Sequence, residues 1–439
     1  MSSTPPLNGA SRPPSRRTVL AGAAWSVPAI VAVTASPAAA ASHQLVLTFE
    51  RTSYAGPICE TIDEVVATAT MDGTPQAGVA VTVTLSDGYT FAGGATTATG
   101  TSDGNGRFAV PTIDVPNSGK SGTAAATASG ATAGTTTLRS AYALFLSTAN
   151  GALSMPAVFP DIPSTATPVG GYGLFVDGTD LWYVDRIIAS GVSGVRANRS
   201  DTREYWSYFA NGVATSSVGS NGTVIATETF SRVPATAEVG GSYGVFLDRN
   251  ARQLWYRNTV WENSVSAVTA YTCFSNGARF DYACYAVQPP GGNTVFTLQR
   301  WKNGTGTGTF DNTTAPRDSV FERVPNLLSS GNGARLDWSD STIAHNVTGV
   351  SGSLIVDWTE AISSYIESGV ATSRHSADTV WTFPAVPASA KAVGSWATFL
   401  DGNDLWFNNA VAKTNVVSAV GDSFTSSGDS HISVIKKGC

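Results

Sequence analysis

The stretch Tyr172-Gly173-Leu174-Phe175-Val176-Asp177, running on to Leu181-Trp182, decides the reading of this chain because it returns twice. It comes back as Tyr243-Gly244-Val245-Phe246-Leu247-Asp248 before Leu254-Trp255, and as Trp396-Ala397-Thr398-Phe399-Leu400-Asp401 before Leu405-Trp406. Each copy is a short apolar run broken at an Asp-containing turn and resumed by Leu-Trp, the pattern of a β-hairpin. Only Leu336-Asp337 survives of it in between. Working outward, a four-residue motif follows at Val192-Ser193-Gly194-Val195, Val265-Ser266-Ala267-Val268, Val347-Thr348-Gly349-Val350 and Val417-Ser418-Ala419-Val420. Further on, Ser207-Tyr208-Phe209-Ala210-Asn211-Gly212-Val213-Ala214-Thr215-Ser216 is echoed at Ser364-Tyr365-Ile366-Glu367-Ser368-Gly369-Val370-Ala371-Thr372-Ser373. Units close on Phe-x-x-(Val/Ile)-Pro, from Phe159, Phe230, Phe321 and Phe383. A shared period of about 75 residues marks a repeat architecture.

The ends of the repeat region, 141–439, carry the most information. Residues 141–163 hold the end of a unit without its start, and 388–439 hold a start without its end. Together they make one unit, and completing a unit from both ends is how a ring of sheets hides its edges. The expectation is an all-β chain whose repeat region is β-propeller-like, with four units of about 75 residues, each one large blade or two small ones. Independent modules on a string, with a truncated last copy, are the alternative.

Ahead of the repeats, residues 44–138 read as a β-sandwich. Val79, Val81, Val83 and Leu85 alternate with Ala80, Thr82 and Thr84, as in a strand with one buried face. Asp72-Gly73-Thr74-Pro75, Ser86-Asp87-Gly88 and Ser102-Asp103-Gly104-Asn105-Gly106 supply the turns. The run from Gly73 to Val81, followed by Thr101-Ser102-Asp103-Gly104-Asn105-Gly106-Arg107-Phe108, resembles the invasin-type bacterial Ig-like family over about a fifth of the chain. That resemblance implies a spacer or adhesive stalk on a surface protein, without implying a ligand.

Residues 1–40 read as a twin-arginine signal peptide. Arg16 and Arg17 precede an apolar stretch from Ala21 to Val33, and the small residues around Ala38 and Ala40 suit a cleavage site. The apolar stretch is short for a membrane anchor and holds Ser26 and Pro28, and no other segment is apolar enough to span a bilayer. Only 13% of the 439 residues are charged, and the net charge of −6 includes three arginines of the leader. A nucleic-acid partner is therefore not expected, because counterion release needs clustered Lys and Arg. Export puts the four cysteines where disulfides form. Cys273 and Cys284 are expected to staple a hairpin, and Cys59 with Cys439 to form a long-range bridge or remain thiols.

Candidate chemistry is sparse. The four histidines, His43, His345, His375 and His431, sit in no metal or nucleophile pattern, and no cofactor motif is present. Asp177-Gly178-Thr179-Asp180-Leu181-Trp182 and Asp401-Gly402-Asn403-Asp404-Leu405-Trp406 resemble the Asp-box of sialidase-type propellers, with a displaced glycine; the resemblance implies a turn, not a site. Ten of the eleven tryptophans follow residue 141, and those in phase with the repeat are expected to pack between sheets. Segment 282–314 lengthens the second unit, so a ligand-binding loop is expected there, with Tyr285, Arg300, Trp301 and Lys302. Carboxylate pairs Asp337/Asp340 and Asp357/Glu360 suit glycoside chemistry only if folding brings them together. The expected function is surface or secreted binding of carbohydrate or a cell-envelope polymer. An extracellular glycan hydrolase and a structural surface protein are the alternatives.

Overall fold

Alternation along Ala80–Leu85 buries Val81, Val83 and Leu85 and leaves the threonines between them outside. The same rule in its neighbours builds two five-stranded sheets and a three-stranded one around a shared core that includes Leu47, Tyr54, Val83, Phe108 and Leu138. Asp72-Gly73 and Asp87-Gly88 turn with both residues at positive φ, the geometry that matches the twist of paired strands. The computed structural model describes residues 43–149, 152–200, 202–275, 278–288, 295–314, 320–321, 327–330, 335–338, 341–354, 361–375, 379–423 and 430–439. Arg16, Arg17, Ala38 and Ala40 lie outside them. The described residues form strands and turns, and no helix among them is long and apolar enough to cross a membrane. Gln44–Cys439 is one compact unit.

From Ala143 onward the described strands form eight four-stranded antiparallel sheets in chain order. Short sheets such as Thr167–Gly170, Leu174–Asp177, Asp180–Tyr183 and Arg186–Ala189 alternate with long ones such as Val192–Ser200, Arg203–Ala210, Val213–Ser220 and Thr223–Phe230. Each repeat seen in the sequence is thus one short and one long sheet. The last long sheet takes Val416–Ser423 and Ser430–Lys436 from one end of the chain and Ala143–Ala149 and Ala152–Phe159 from the other, with Ala143 opposite Ile435 and Ser147 opposite His431. The two partial units do combine.

The Val motif opens one edge strand of every long sheet. Val192, Val265, Val347 and Val416 are buried, and a register shift follows each of them. In the fourth copy the matching residue is therefore Val416 rather than Val417, which is 49% exposed. A bulge leaves one residue of its strand unpaired, and matching by residue identity took that residue for the anchor. A second repeated device joins neighbouring sheets. The N–H of Gly244 donates to Ser207 Oγ and Ser216 Oγ (3.2 and 2.9 Å), that of Ala397 to Ser373 Oγ (2.9 Å) and that of Gly173 to Ser433 Oγ (2.9 Å). Gly173, Gly244 and Ala397 all hold positive φ, so the serines cap a backbone turned out of its own ladder.

Two expectations need correction. Cys273 and Cys284 carry buried thiols, not a disulfide. Cys273 faces Phe280 in the ladder, four residues from Cys284 and so about 13 Å away along the strand, beyond the reach of an S–S bond. Cys59 and Cys439 are the bonded pair. Segment 282–314 is no loop either: its residues fall mostly in Ala278–Val287, Val295–Lys302 and Thr305–Thr314, which lengthen a sheet.

The sandwich meets the last long sheet directly, with Tyr142 alone between Gly134–Ala141 and Ala143–Ala149. Beside the disulfide, Glu60 accepts hydrogen bonds from Lys413 Nζ and Lys436 Nζ, both at 2.6 Å. Burial pushes the Glu60 carboxyl upward, but the two ammonium groups outweigh it and hold the group below its ordinary value.

Candidate functional site

Two edge strands of the long sheets, Val192–Ser200 and Val265–Ser275, lie side by side for only part of their length. Asn198 fastens them, its Nδ2 donating to the Thr272 carbonyl (2.6 Å) and its Oδ1 accepting from the Thr272 N–H (3.1 Å). Tyr271 donates its hydroxyl to the Arg199 carbonyl (2.7 Å), and the Phe274 N–H donates to Ser200 Oγ (3.0 Å). Asn198 also lines a cavity of about 510 Å3 that opens among these strands, the first strands of two short sheets and Asp422 of Val416–Ser423. Exposure grades along one strand: Ser193, Gly194 and Arg196 are exposed, whereas Asn198, Arg199 and Ser200 are buried. The first group forms the mouth with Glu238, whose carboxylate pairs with Arg249 Nε at 2.7 Å. Asn198, Tyr271, Ser242 and Asp422 are buried among its lining residues. Phe209, Val239 and Ala270 add apolar wall.

Asp422 accepts the Gly171 N–H at 3.1 Å. Gly171 is required there, since a Cβ would stand 2.6 Å from the His431 carbonyl oxygen. Ser242 is 2% exposed, and its hydroxyl has no hydrogen-bond partner among the described residues.

A polar cluster is built twice in these sheets. Glu204 accepts from Tyr183 Oη (2.8 Å) and pairs with Arg199 (2.8 Å); one unit on, Asp281 accepts from Tyr256 Oη (2.6 Å) and pairs with Arg279 (3.2 Å). In the fourth unit Phe407 takes the tyrosine position and Ser430 the acid position, so phenol and carboxylate disappear together. A buried carboxylate without its donors is costly, which accounts for the joint change. Burial pushes the Glu204 carboxyl up from 4.5 to about 7 despite Arg199 and Tyr183, and pushes Asp281 up as well. Burial likewise drives the His431 imidazole down to about 3, leaving it neutral.

A raised folded pKa means that the folded chain holds a proton the unfolded chain has lost, so the Glu204 contribution is present below about pH 4.5 and is lost as pH rises through about 7. Glu204→Gln is expected to flatten the fall in stability over that window, read from urea midpoints at pH 5 and pH 7.5. An equal fall in both proteins would refute the assignment.

The residues expected to bind from sequence are not brought to this cavity. Trp301 is buried, stacked on Tyr256 (centroids 4.2 Å, planes 11° apart) and edge-on to Trp261 at 5.2 Å. Tyr285 is buried in the same core, Arg300 is half-buried and Lys302 is exposed. Tyr285 and Trp301 therefore fill a core rather than face a ligand. The turn aspartates Asp177 and Asp401 accept hydroxyls from Thr165 (2.6 Å) and Ser389 (2.7 Å), a repeated brace on the hairpin. Of the carboxylate pairs, Asp340, Asp357 and Glu360 lie outside the described residues, and Asp337 is described in backbone only.

The chain matches no protein-family model and no curated protein. The cavity residues were missed in sequence because they belong to five separate sheets. The usable signal was the polar run Arg196-Ala197-Asn198-Arg199-Ser200 inside a strand otherwise opened by a buried Val.

Proposed function

We propose that this protein leaves the cytoplasm by the twin-arginine route and recognises carbohydrate or an envelope polymer outside it. On this reading 44–138 is an invasin-type Ig-like domain, and the short and long sheets close as a propeller-like ring around the cavity. The observation that carries the proposal is the cavity itself, where charged and hydroxyl groups from separate repeats meet beside an apolar wall, as in small-ligand sites. The Cys59–Cys439 disulfide is compatible with an extracellular place.

A glycan array and isolated cell-wall polymers, screened with residues 41–439, test the idea. Binding is expected, and Ser193→Trp, which fills the mouth from an exposed position, is expected to abolish it. Retention of no glycan or wall polymer by the unmodified protein would defeat the proposal, and binding indifferent to Ser193→Trp would move the site elsewhere. A second reading rests on Glu238 and Asp422, two carboxylates on one cavity, which suit glycan hydrolysis. Release of new reducing ends from a bound glycan, lost in Asp422→Asn, would favour it.

A further inference from the structure

We infer, resting on the twin-arginine reading, that the Cys59–Cys439 bond is a latch shut after folding. The chain crosses the membrane folded with both thiols reduced, and a thiol–disulfide exchange partner outside closes the bond. Cytoplasmic thiols are kept reduced, and the twin-arginine route carries chains that are already folded. The order of events therefore requires a fold that stands without the bond and leaves its two sulfurs able to meet afterwards.

One side of the latch is fixed by the sandwich. The N–H of Cys59 donates to the Val115 carbonyl (3.2 Å), that of Val115 to the Glu60 carbonyl (2.8 Å) and that of Ile58 to the Ala141 carbonyl (3.0 Å), so this backbone is held without help from sulfur. The other side is a tongue. Lys437, Gly438 and Cys439 follow the strand Ser430–Lys436 outside any sheet, and among the described residues the last backbone hydrogen bond before the sulfur runs from the Lys437 N–H to the Asn415 carbonyl (2.6 Å). Cys439 is exposed and Cys59 half-buried, so Cys439 reaches or leaves its partner without opening a ladder. Non-covalent contacts aim the tongue: Glu60, next to Cys59, accepts from Nζ of Lys436, three residues before Cys439, at 2.6 Å. Groups held together in this way react with a high effective concentration. The Cys439 thiolate attacks the partner's disulfide and releases one partner thiolate; the Cys59 thiolate then attacks the Cys439 sulfur and releases the other. The pair gives up two electrons, and the partner's disulfide becomes two thiols that take up the two protons. Cys273 and Cys284, 5% and 2% exposed, stay out of the exchange.

The test compares residues 41–439, reduced and then freed of reductant, with the oxidised protein. The reduced protein is expected to keep the near-ultraviolet dichroism of the oxidised one. Iodoacetamide is expected to label Cys59 and Cys439 in buffer, and Cys273 and Cys284 only in urea. Oxidised glutathione, the probe disulfide, is expected to close the bond at least ~10-fold faster in buffer than in urea, since unfolding leaves the two cysteines 380 residues apart. Loss of the dichroism on reduction, labelling of all four cysteines alike in buffer, or faster closure in urea overturns the latch. The full chain is then followed in cells. With twin-arginine transport blocked it is expected to collect in the cytoplasm, protease-resistant and with four reduced thiols, whereas the exported protein carries the bond. A bond already present in the blocked cells overturns the order of events. Export that continues despite the block removes the twin-arginine reading and that order with it, while the behaviour in glutathione still decides the latch itself.

Discussion

Replacing Cys439 with serine is expected to lower the stability of residues 41–439 by about 2–5 kcal/mol, read as a lower urea midpoint. The Cys59–Cys439 bond spans 380 residues of sequence, so its loss frees nearly the whole described chain in the unfolded state. Chain-entropy arguments give about 6 kcal/mol for such a loop, and measured losses are usually smaller because unfolded chains keep some compactness. The bond also ties the sandwich to the sheet shared by both ends, beside the Glu60 contacts with Lys413 and Lys436. Reductant should bring the unmodified protein down to the Cys439→Ser value and leave the variant unmoved. Equal midpoints for variant and oxidised parent would mean that the tie adds nothing to stability. Cys273 and Cys284 are buried and make no disulfide that could obscure the comparison.

The second large effect is expected at Arg279. The Asp281 side chain is 1% exposed and is held by Arg279, Tyr256 and Thr272; among the described residues Arg279 makes its ion pair, and Arg257 adds a weaker positive field. Arg279→Met leaves that carboxylate buried with neutral donors, which costs about 3–5 kcal/mol. The arginine is 16% exposed at its side chain and lies over the Tyr243 ring at 4.1 Å, so part of the loss is packing. A compensating change separates the two contributions. Adding Asp281→Ser copies the Ser430 of the fourth unit and removes the stranded charge, so the double variant should regain most of the loss. If the double variant is as unstable as Arg279→Met alone, packing and not charge is what Arg279 supplies.

Much of this architecture was legible in the sequence where a contact joins residues close along the chain or repeats at a fixed interval. Alternation in Ala80–Leu85, the Asp-Gly turns and the shared last sheet all belong to that kind. The phase slip at Val416 did not, because a bulge moves the pairing by one residue while leaving composition unchanged. The cysteine pairing failed for a related reason. Two residues eleven apart face one another only if the turn is centred between them, and Ser275 pairs with Ala278, which puts the turn nearer Cys273. Trp301 shows the limit for aromatic residues, since an indole in a strand and one in a binding loop are written alike; burial against Tyr256 is what separates them. The cavity was hidden most completely. Asn198 and Thr272 are 74 residues apart, about one repeat interval, but the repeated motifs mark where strands begin and do not say which polar side chains meet between them.

The sheet that draws on both ends of the chain also orders events in time. Ala143–Ala149 is synthesised early, yet its edge toward Ser430–Lys436 stays open until almost 300 further residues have left the ribosome. An open, apolar strand edge invites pairing with other chains, and contacts so distant in sequence form slowly. A nascent chain halted before the last two strands holds a sticky half-sheet, not a smaller version of the same body. Assembly therefore acts as a completeness check, in which only a chain translated through Lys436 can put its first repeat strand to rest.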